Sequence, residues 1–257
     1  VESKYIFPVF IWNDRFKSSG LNTHFSFDDI VAIDNVDYTI PRLEEAYKPL
    51  IIKLLKLKEV RLKCIEGELN VTTHKKYFCV DTKQPTILKG ASIQRYYYTL
   101  QMSQGQIDFL DEEKYLVDYG NTEKSSHHKI ERIAMQGMTG ANDKIRLIMT
   151  IIPKGYYLAN SCNYILPTSK MDLYCMLGFL NSRLINWFFR CFSTNSNVNG
   201  YEVDNFPIPQ IELSLQSEIS DLVKKILSIK KTNPLTDTAD LERKIDNIIY
   251  GIYRLTE

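Results

Sequence analysis

The chain has 257 residues, of which 44% are hydrophobic and 25% charged, so it carries enough apolar side chain to bury the core of one large or two small domains. This composition excludes an intrinsically disordered chain. The 32 Lys and Arg residues balance the 31 Asp and Glu residues. The net charge therefore does not point to nucleic acid, and such a partner would have to bind a local basic patch.

The cysteines and the apolar runs bear on the compartment. Five cysteines without a C-x-x-C pair fit neither a disulfide framework nor a zinc ribbon, and they indicate a reducing environment. The apolar runs are far shorter than the roughly 20 residues of a membrane helix, and no signal-peptide pattern is found. We expect a cytoplasmic protein without a membrane partner, and the start at Val1 indicates a piece of a longer polypeptide.

The first part of the chain predicts short strands and one helix. Residues 1–40 mix aromatic and β-branched residues with Asp and Asn, which is typical of strands joined by turns. Apolar residues then recur at helical spacing and predict a helix near residues 42–57, with a kink or restart at Pro49. We interpret residues 1–70 as an N-terminal extension or linker.

The middle of the chain, residues 59–170, has a different character. Short alternating or β-branched stretches are separated by turn residues. This pattern predicts an irregular, twisted and mostly antiparallel sheet. Its strands are expected at residues 77–80, 86–88, 93–100, 115–119, 129–135, 145–152 and 156–158.

Helical periodicity dominates the last third of the chain. An amphipathic helix is predicted over residues 171–189, followed by an uncharged loop at 193–200 and an extended connector at 205–209. Two further helices, at 213–231 and 239–255, should form a C-terminal helical hairpin. The predicted fold class is therefore α+β.

Motifs for covalent chemistry are missing from the chain. The four histidines include no H-x-x-x-H pair and no cysteine partner at ligand spacing, so we predict no metal site. Phosphate-binding glycine motifs and the G-x-S-x-G nucleophile elbow are also missing. We therefore expect no catalytic residue and no cofactor in this chain.

An acidic segment at residues 108–114 offers an alternative interpretation. Its Glu112-Glu113-Lys114 run loosely resembles the E-x-K element of nucleases, and would make the chain a degenerate magnesium-dependent nuclease domain. We favour a solvated acidic turn, because blocks of like charge usually lie on exposed faces. Asn233-Pro234 shares two residues with the N-P-P-Y/F signature of amino methyltransferases but lacks its second proline and its aromatic residue.

Polar and basic residues interleaved with aromatic ones form three clusters beyond what a core requires. Arg and Gln can contact base edges through paired hydrogen bonds, while Lys and Tyr can hold phosphates. An ordinary hydrated surface is the alternative explanation. The first cluster contains Lys89, Gln94, Arg95 and Tyr96; the second contains Lys129, Arg132, Gln136, Asn142, Lys144 and Arg146; the third contains Asn195, Asn197 and Asn199.

The first cluster lies within a recognisable motif. Leu88-Lys89-Gly90, Ile93 and Arg95-Tyr96 resemble the L-K-G-x-x-I-x-R-Y element of the TaqI-type C-terminal specificity domain, found in adenine-specific DNA methyltransferases and type IIG restriction-modification enzymes. Type I specificity subunits share part of the pattern, but a long helix for subunit spacing follows there, whereas this chain closes in a short hairpin. Further stretches agree in order over residues 86–257: 156–158 with 165–167, 177–185, 205–209 and 241–257.

The resemblance implies that the chain recognises double-stranded DNA, while a methyltransferase domain in the same parent chain binds S-adenosylmethionine and flips the adenine. Residues 71–212 would be the target recognition domain and residues 213–257 a helical hairpin packed on it. Whether the parent also cleaves DNA stays open, and a protein-interaction module is an alternative. Our hypothesis assigns base or phosphate contact to Gln94 and Arg95, backbone contact to Lys89 and Tyr96, the cleft wall to Arg132, Gln136, Lys144 and Arg146, and a groove loop to Asn195, Asn197 and Asn199.

Overall fold

The N-terminal strands predicted from the sequence form an antiparallel hairpin of β1 (Ile6–Trp12) and β2 (Ser18–Ser26). The computed structural model describes residues 6–12, 18–101 and 106–255, with side chains from residue 23 onward. Tyr5, which belongs to the predicted strands, and Thr256-Glu257, which end the family motif, lie outside the described residues.

Two helices follow this hairpin. The sequence pattern did not predict α1 (Phe27–Ile33), which begins at a capping box: Ser26 Oγ accepts from the Asp29 amide and the Asp29 carboxylate accepts from the Ser26 amide. The helix expected after it is α2 (Lys48–Lys56), which begins later than predicted. Pro49 lies in its first turn, where a missing N–H costs nothing, so the helix starts there instead of kinking.

The remaining strands form two four-stranded sheets and a second hairpin. They are β3 (Cys64–Glu66), β4 (Phe78–Cys79), β5 (Thr86–Leu88), β6 (Ile93–Gln94), β7 (Tyr97–Tyr98), β8 (Asp108–Leu110), β9 (Arg132–Gln136), β10 (Met149–Ile152), β11 (Tyr157–Leu158) and β12 (Cys162–Ile165). The sheet orders are β10-β9-β12-β3 and β11-β5-β8-β4, and β6 pairs with β7. Only β11 with β5 is parallel among these described pairs, which confirms the predicted α+β class and mostly antiparallel sheet.

The strand predicted at residues 115–119 is wrong, because this segment belongs to the helix α3 (Glu112–Tyr119). Asp111 caps the helix by accepting a hydrogen bond from the Lys114 amide. The acidic segment is thus divided between a strand end, a helix cap and a first helical turn. Among the described residues no group of three or more His, Cys, Asp or Glu side chains could hold a metal ion.

The single helix predicted at residues 171–189 is two helices, α4 (Leu173–Leu180) and α5 (Arg183–Phe192). Asn181 and Ser182 separate them. Asn181 donates its side-chain amide to the Met149 carbonyl of β10 at 3.1 Å. Ser182 caps α5 by accepting from the Ile185 amide at 3.2 Å. Helical periodicity continues across the break because both helices pack on the same core.

The C-terminal hairpin is confirmed, with α7 (Leu213–Thr232) and α8 (Ala239–Ile252) preceded by a short α6 (Gly200–Asp204). It packs closely on α4, since a Cβ placed on Gly178 would lie 2.6 Å from the Ile219 Cγ2 atom of α7. The described residues contain no helix that is long and apolar enough to cross a membrane.

The main hydrophobic core joins all three parts of the chain. Buried Ile51 and Leu54 of α2 belong to the same cluster as Leu177 of α4 and Ile219 of α7. The segment interpreted as an extension or linker therefore contributes to the core that supports the sheet. The domain limits at residues 70 and 212 stay a prediction.

Candidate nucleic-acid interface

The first polar cluster surrounds the β6–β7 hairpin. Arg95 and Tyr96 form its turn, and Tyr96 has a φ of 65°, a left-handed conformation that is costly for a bulky residue. The Tyr96 ring is only 1% exposed, and its amide donates to the Met149 carbonyl at 3.0 Å. Tyr96 thus holds the hairpin against β10, and its buried ring corrects the expected DNA-backbone contact.

Lys89 and Gln94 lie on either side of a short turn at Gly90–Ser92. Lys89 Nζ is 2.7 Å from the Asp108 carboxylate of β8, and the Gln94 amide donates to the Ala91 carbonyl at 3.0 Å. Both side chains are half-buried. A Cβ on Gly90 would lie 2.7 Å from the Ser161 carbonyl oxygen, so this position needs glycine because two backbones approach closely.

Arg95 is ion-paired within the chain. Its Nε lies 2.8 Å from Glu242 Oε2 of α8, and its guanidinium lies 5.1 Å from the Tyr96 ring centroid. The Arg95 side chain is 22% exposed. This pair connects the β6–β7 hairpin to the C-terminal helices, and the sequence interpretation did not foresee it. A contact between Arg95 and DNA would have to share or break this pair.

Arg132 is a structural residue of the core, which corrects its expected place in the cleft wall. Its side chain has no exposed surface and pairs with equally buried Glu68 at 2.6 Å. It also donates to the Tyr156 carbonyl at 3.0 Å and lies over the Tyr164 ring. Because the Glu68 carboxylate in turn accepts from the Leu158 amide, moving Arg132 to a ligand would leave a buried charge unpaired.

Gln136, at the C-terminal end of β9, brings the first and second polar clusters of the sequence into contact. The Gln136 side-chain amide donates to the Ile93 carbonyl of β6 at 2.7 Å, so Gln136 contacts the residue that precedes Gln94 in the chain. Ser161 links the same segments, since its Oγ accepts from the Gly90 amide and its carbonyl accepts from the Gly137 amide, both at 2.9 Å. The sequence interpretation missed Ser161, and no local pattern marks it.

The uncharged loop at 193–199 lies on the other side of this strand end. The Thr139 amide donates to the Ser196 carbonyl at 2.9 Å, and the Val198 amide donates to the Gly137 carbonyl at 3.0 Å. These bonds place three segments side by side. We call the polar side chains at their ends, together with exposed Met138, the strand-end surface; it consists of Gln94, Gln136, Met138, Asn195 and Asn197.

Arg146 supports this loop from inside. Its Nε donates to Thr139 Oγ1 at 2.9 Å and its Nη2 donates to the Asn195 carbonyl at 2.8 Å. The side chain is buried, and burial lowers the pKa of the guanidinium. Arg146 therefore positions the loop, and its burial corrects the expected exposed position in the cleft wall.

The loop asparagines have different functions in the fold. Asn195 Oδ1 accepts from the Asn197 amide at 2.8 Å, and both residues are exposed. Asn199 forms a capping box with Glu202 at the start of α6. Exposed Lys144 precedes Arg146, whereas exposed Lys129 precedes the other end of β9 and is not brought to the strand-end surface.

Two arginines outside the predicted clusters lie close to Arg146. Arg42 and Arg190 line a cavity with it, although they are far apart in the sequence and belong to different segments. Their side chains are exposed. Sequence reasoning missed them because neither arginine has basic neighbours that would mark a cluster.

Comparisons with known proteins agree with the motifs. Residues 85–208 match the model of the TaqI-like C-terminal specificity domain. The type IIL restriction-modification enzyme MmeI, solved in complex with DNA, is similar over 78% of this chain and 34% of its own, with a TM-score of 0.53 and 10% identity. The HsdS subunit from Thermoanaerobacter tengcongensis aligns over 78% of this chain and 44% of its own, with a TM-score of 0.37 and 12% identity.

The chain thus spans less than half the length of either solved protein. No match was found among curated proteins. The similarity to MmeI shows a shared fold. The matched family model covers the β5–β6 motif, β9, the loop at 193–199 and the connector that follows it. Residues 85–208, just under half of the chain, are similar to the family of TaqI-like C-terminal specificity domains.

Proposed function

We propose that this chain recognises a specific double-stranded DNA sequence within a bacterial restriction-modification adenine methyltransferase, whose catalytic domain lies elsewhere in the parent chain. The strand-end surface supports this proposal most strongly. It brings amide side chains of β9 and the loop at 193–199 next to the β6 strand, which carries Gln94. All of these segments lie within the residues that match the specificity-domain family.

The chemistry of the strand-end surface suits base recognition. An amide side chain both donates and accepts hydrogen bonds, and Asn or Gln can bond adenine through two of them, with about 1–3 kcal/mol of discrimination for each good pair. Asn195 and Asn197 are exposed on the loop. Arg146, buried beneath them, fixes the loop backbone. A fixed loop keeps its side chains in register with base edges and loses little conformational entropy on binding.

Lysines near the strand-end surface would contribute affinity for DNA without sequence preference. Lys144 is exposed and Lys89 is half-buried beside Asp108. Contacts between lysine and DNA phosphates position a protein on the duplex but carry no sequence information. In this proposal the parent catalytic domain binds S-adenosylmethionine and flips the adenine, and recognition energy from this chain offsets the cost of flipping. Because bacterial DNA lies in the cytoplasm, the proposal assigns the parent protein to that compartment.

The first experiment is selection of bound duplexes from a randomised pool by the 257-residue chain, at low and moderate salt. We expect an enriched asymmetric motif whose affinity falls with salt. N197A should relax the preference at one position, while N121A, which removes an exposed asparagine outside the surface, should change nothing. Retention without enrichment, or no retention at all, contradicts the proposal, and the latter favours a protein-interaction module.

Arg95 needs a separate test because it is already paired with Glu242. If Arg95 contacts DNA, R95A weakens binding, whereas E242Q frees the guanidinium and leaves binding unchanged or stronger. Equal effects of R95A and E242Q on binding and on stability would assign Arg95 to the fold alone. The readout is the salt dependence of affinity for the selected duplex, whose slope should fall by about one when a phosphate contact is lost.

A further inference from the structure

A basic cavity lies behind the loop at 193–199. It has a volume of about 400 Å³ and is formed by the segment that precedes α2, the turn at 141–142, and the end of α5. Its first wall belongs to the N-terminal part of the chain, and the others belong to the family-matched part. The lining residues are Arg42, Leu43, Glu44, Tyr47, Ala141, Asn142, Arg146, Trp187, Arg190, Cys191 and Ser193.

Three arginines line this cavity. Arg42, Arg146 and Arg190 make no ion pair with any carboxylate in the described part of the chain. Burial is the main cause that lowers the pKa of Arg146; the carboxylates of Glu202 and Asp143 oppose it, and the positive charges of Arg190 and Arg42 lower the pKa by a smaller amount. Neighbouring cations without a paired anion repel each other, and a bound anion would relieve that repulsion.

Ser193 gives an independent indication of a ligand. Its side chain is only 2% exposed and lines the cavity, and its Oγ has no hydrogen-bond partner among the described residues. Its carbonyl accepts a hydrogen bond from Arg42 Nη2, which holds the two residues together. Buried hydroxyl groups almost always have a partner, so the Ser193 hydroxyl is available to donate to an anionic oxygen.

One side of the cavity is aromatic. The rings of Tyr47 and Trp187 meet edge to face with 5.6 Å between their centroids. An apolar wall lowers the local dielectric constant and strengthens the attraction between the arginines and an anion. Glu44 is the one carboxylate among the described lining residues, and it is exposed.

We propose that this cavity binds a phosphate group through Arg42, Arg190 and the Ser193 hydroxyl. Arginine suits this ligand, because its planar donors match phosphate oxygens in pairs. The phosphate has two possible sources, the DNA backbone and a free phosphate compound. The first source rests on the proposed function, since the cavity adjoins the loop that carries Asn195 and Asn197. A DNA phosphate held there would fix the loop relative to the duplex.

Trp187 provides the test, because it lines the cavity and the sequence contains just one other tryptophan, Trp12. In W12F protein, Trp187 fluorescence is titrated with inorganic phosphate and, separately, with the selected duplex. We expect a saturable change with phosphate. R190Q should weaken phosphate binding about tenfold, the effect of one lost charge-assisted hydrogen bond. R61Q, which removes an exposed arginine outside the cavity, should leave phosphate binding unchanged.

The two sources give different results. If duplex DNA changes Trp187 fluorescence and R190Q lowers the salt slope of DNA binding, the phosphate comes from the DNA backbone. If inorganic phosphate binds and the duplex leaves Trp187 unchanged, the ligand is a free phosphate compound. A flat phosphate titration, or equal phosphate affinities of R190Q and R61Q, overturns the cavity proposal. Sequence enrichment in the selection experiment would still support the proposed function in that case. S193A, with unfolding monitored, tests the hydroxyl without removing a charge.

Discussion

Replacing Arg132 with methionine is the sharpest test of the buried ion pair beneath the interface. The Arg132 and Glu68 side chains have no exposed surface, and their charged groups are 2.6 Å apart. Removing one partner of such a pair costs about 3–5 kcal/mol, because the other charge stays buried without compensation. The lost bond to the Tyr156 carbonyl adds to the cost. We therefore expect R132M to lose at least about 3 kcal/mol of unfolding free energy at pH 7, measured by urea denaturation.

The free energy of unfolding of R132M should depend on pH, and the direction of that dependence can be predicted. Burial raises the pKa of the Glu68 carboxyl, and the Arg132 charge is the main opposing cause. Without Arg132 that pKa rises further, so the folded variant binds a proton more tightly than the unfolded chain does. Stability then increases as pH falls through the folded pKa, since protonation removes the buried charge. The loss of unfolding free energy in R132M, relative to the unsubstituted protein, should therefore become smaller as pH falls from 7 to 5.

The double variant R132M/E68Q is the control. The glutamine side chain keeps an oxygen for the Leu158 amide, which donates to Glu68 at 2.8 Å in the unsubstituted protein, and it carries no charge. The deficit of the double variant should be smaller than that of R132M by about 1–3 kcal/mol at pH 7, and it should not shrink as pH falls from 7 to 5, because no titrating group is left at position 68. A deficit of R132M below about 1 kcal/mol, or one that is equal at both pH values, would refute the reasoning.

Two further substitutions test the helix packing and the helix cap that support the candidate interface. G178A places a Cβ 2.6 Å from Ile219 Cγ2, and this overpacking between α4 and α7 should cost about 1–3 kcal/mol in denaturant unfolding; no loss would mean that the two helices separate freely. S182A removes the cap of α5 and should cost about 1 kcal/mol, whereas S217A, at an exposed position of α7, should stay within about 0.5 kcal/mol. Similar values for the two serine variants would contradict the role of the cap.

Local pattern predicted most of the elements and failed where a cap competed with it. The helical spacing of Ile219, Val223 and Ile226 predicted α7 correctly, because a helix buries residues on one face at fixed intervals. The tyrosines of α3 suggested a strand, since aromatic residues favour strands, but the Asp111 cap starts a helix there. The break at Ser182 was hidden because both adjoining helices are apolar.

The sequence by itself determined the fold class, the C-terminal hairpin and the similarity to the specificity-domain family, since these depend on periodicity and on short motifs within neighbouring residues. Tertiary structure alone decided which polar residues are available to a ligand. Arg132 and Arg146 look like surface cations in the sequence, yet each finds partners from distant segments, Glu68 for one and the loop carbonyls for the other. Burial and pairing arise from contacts between segments far apart in the chain, and no local pattern records them.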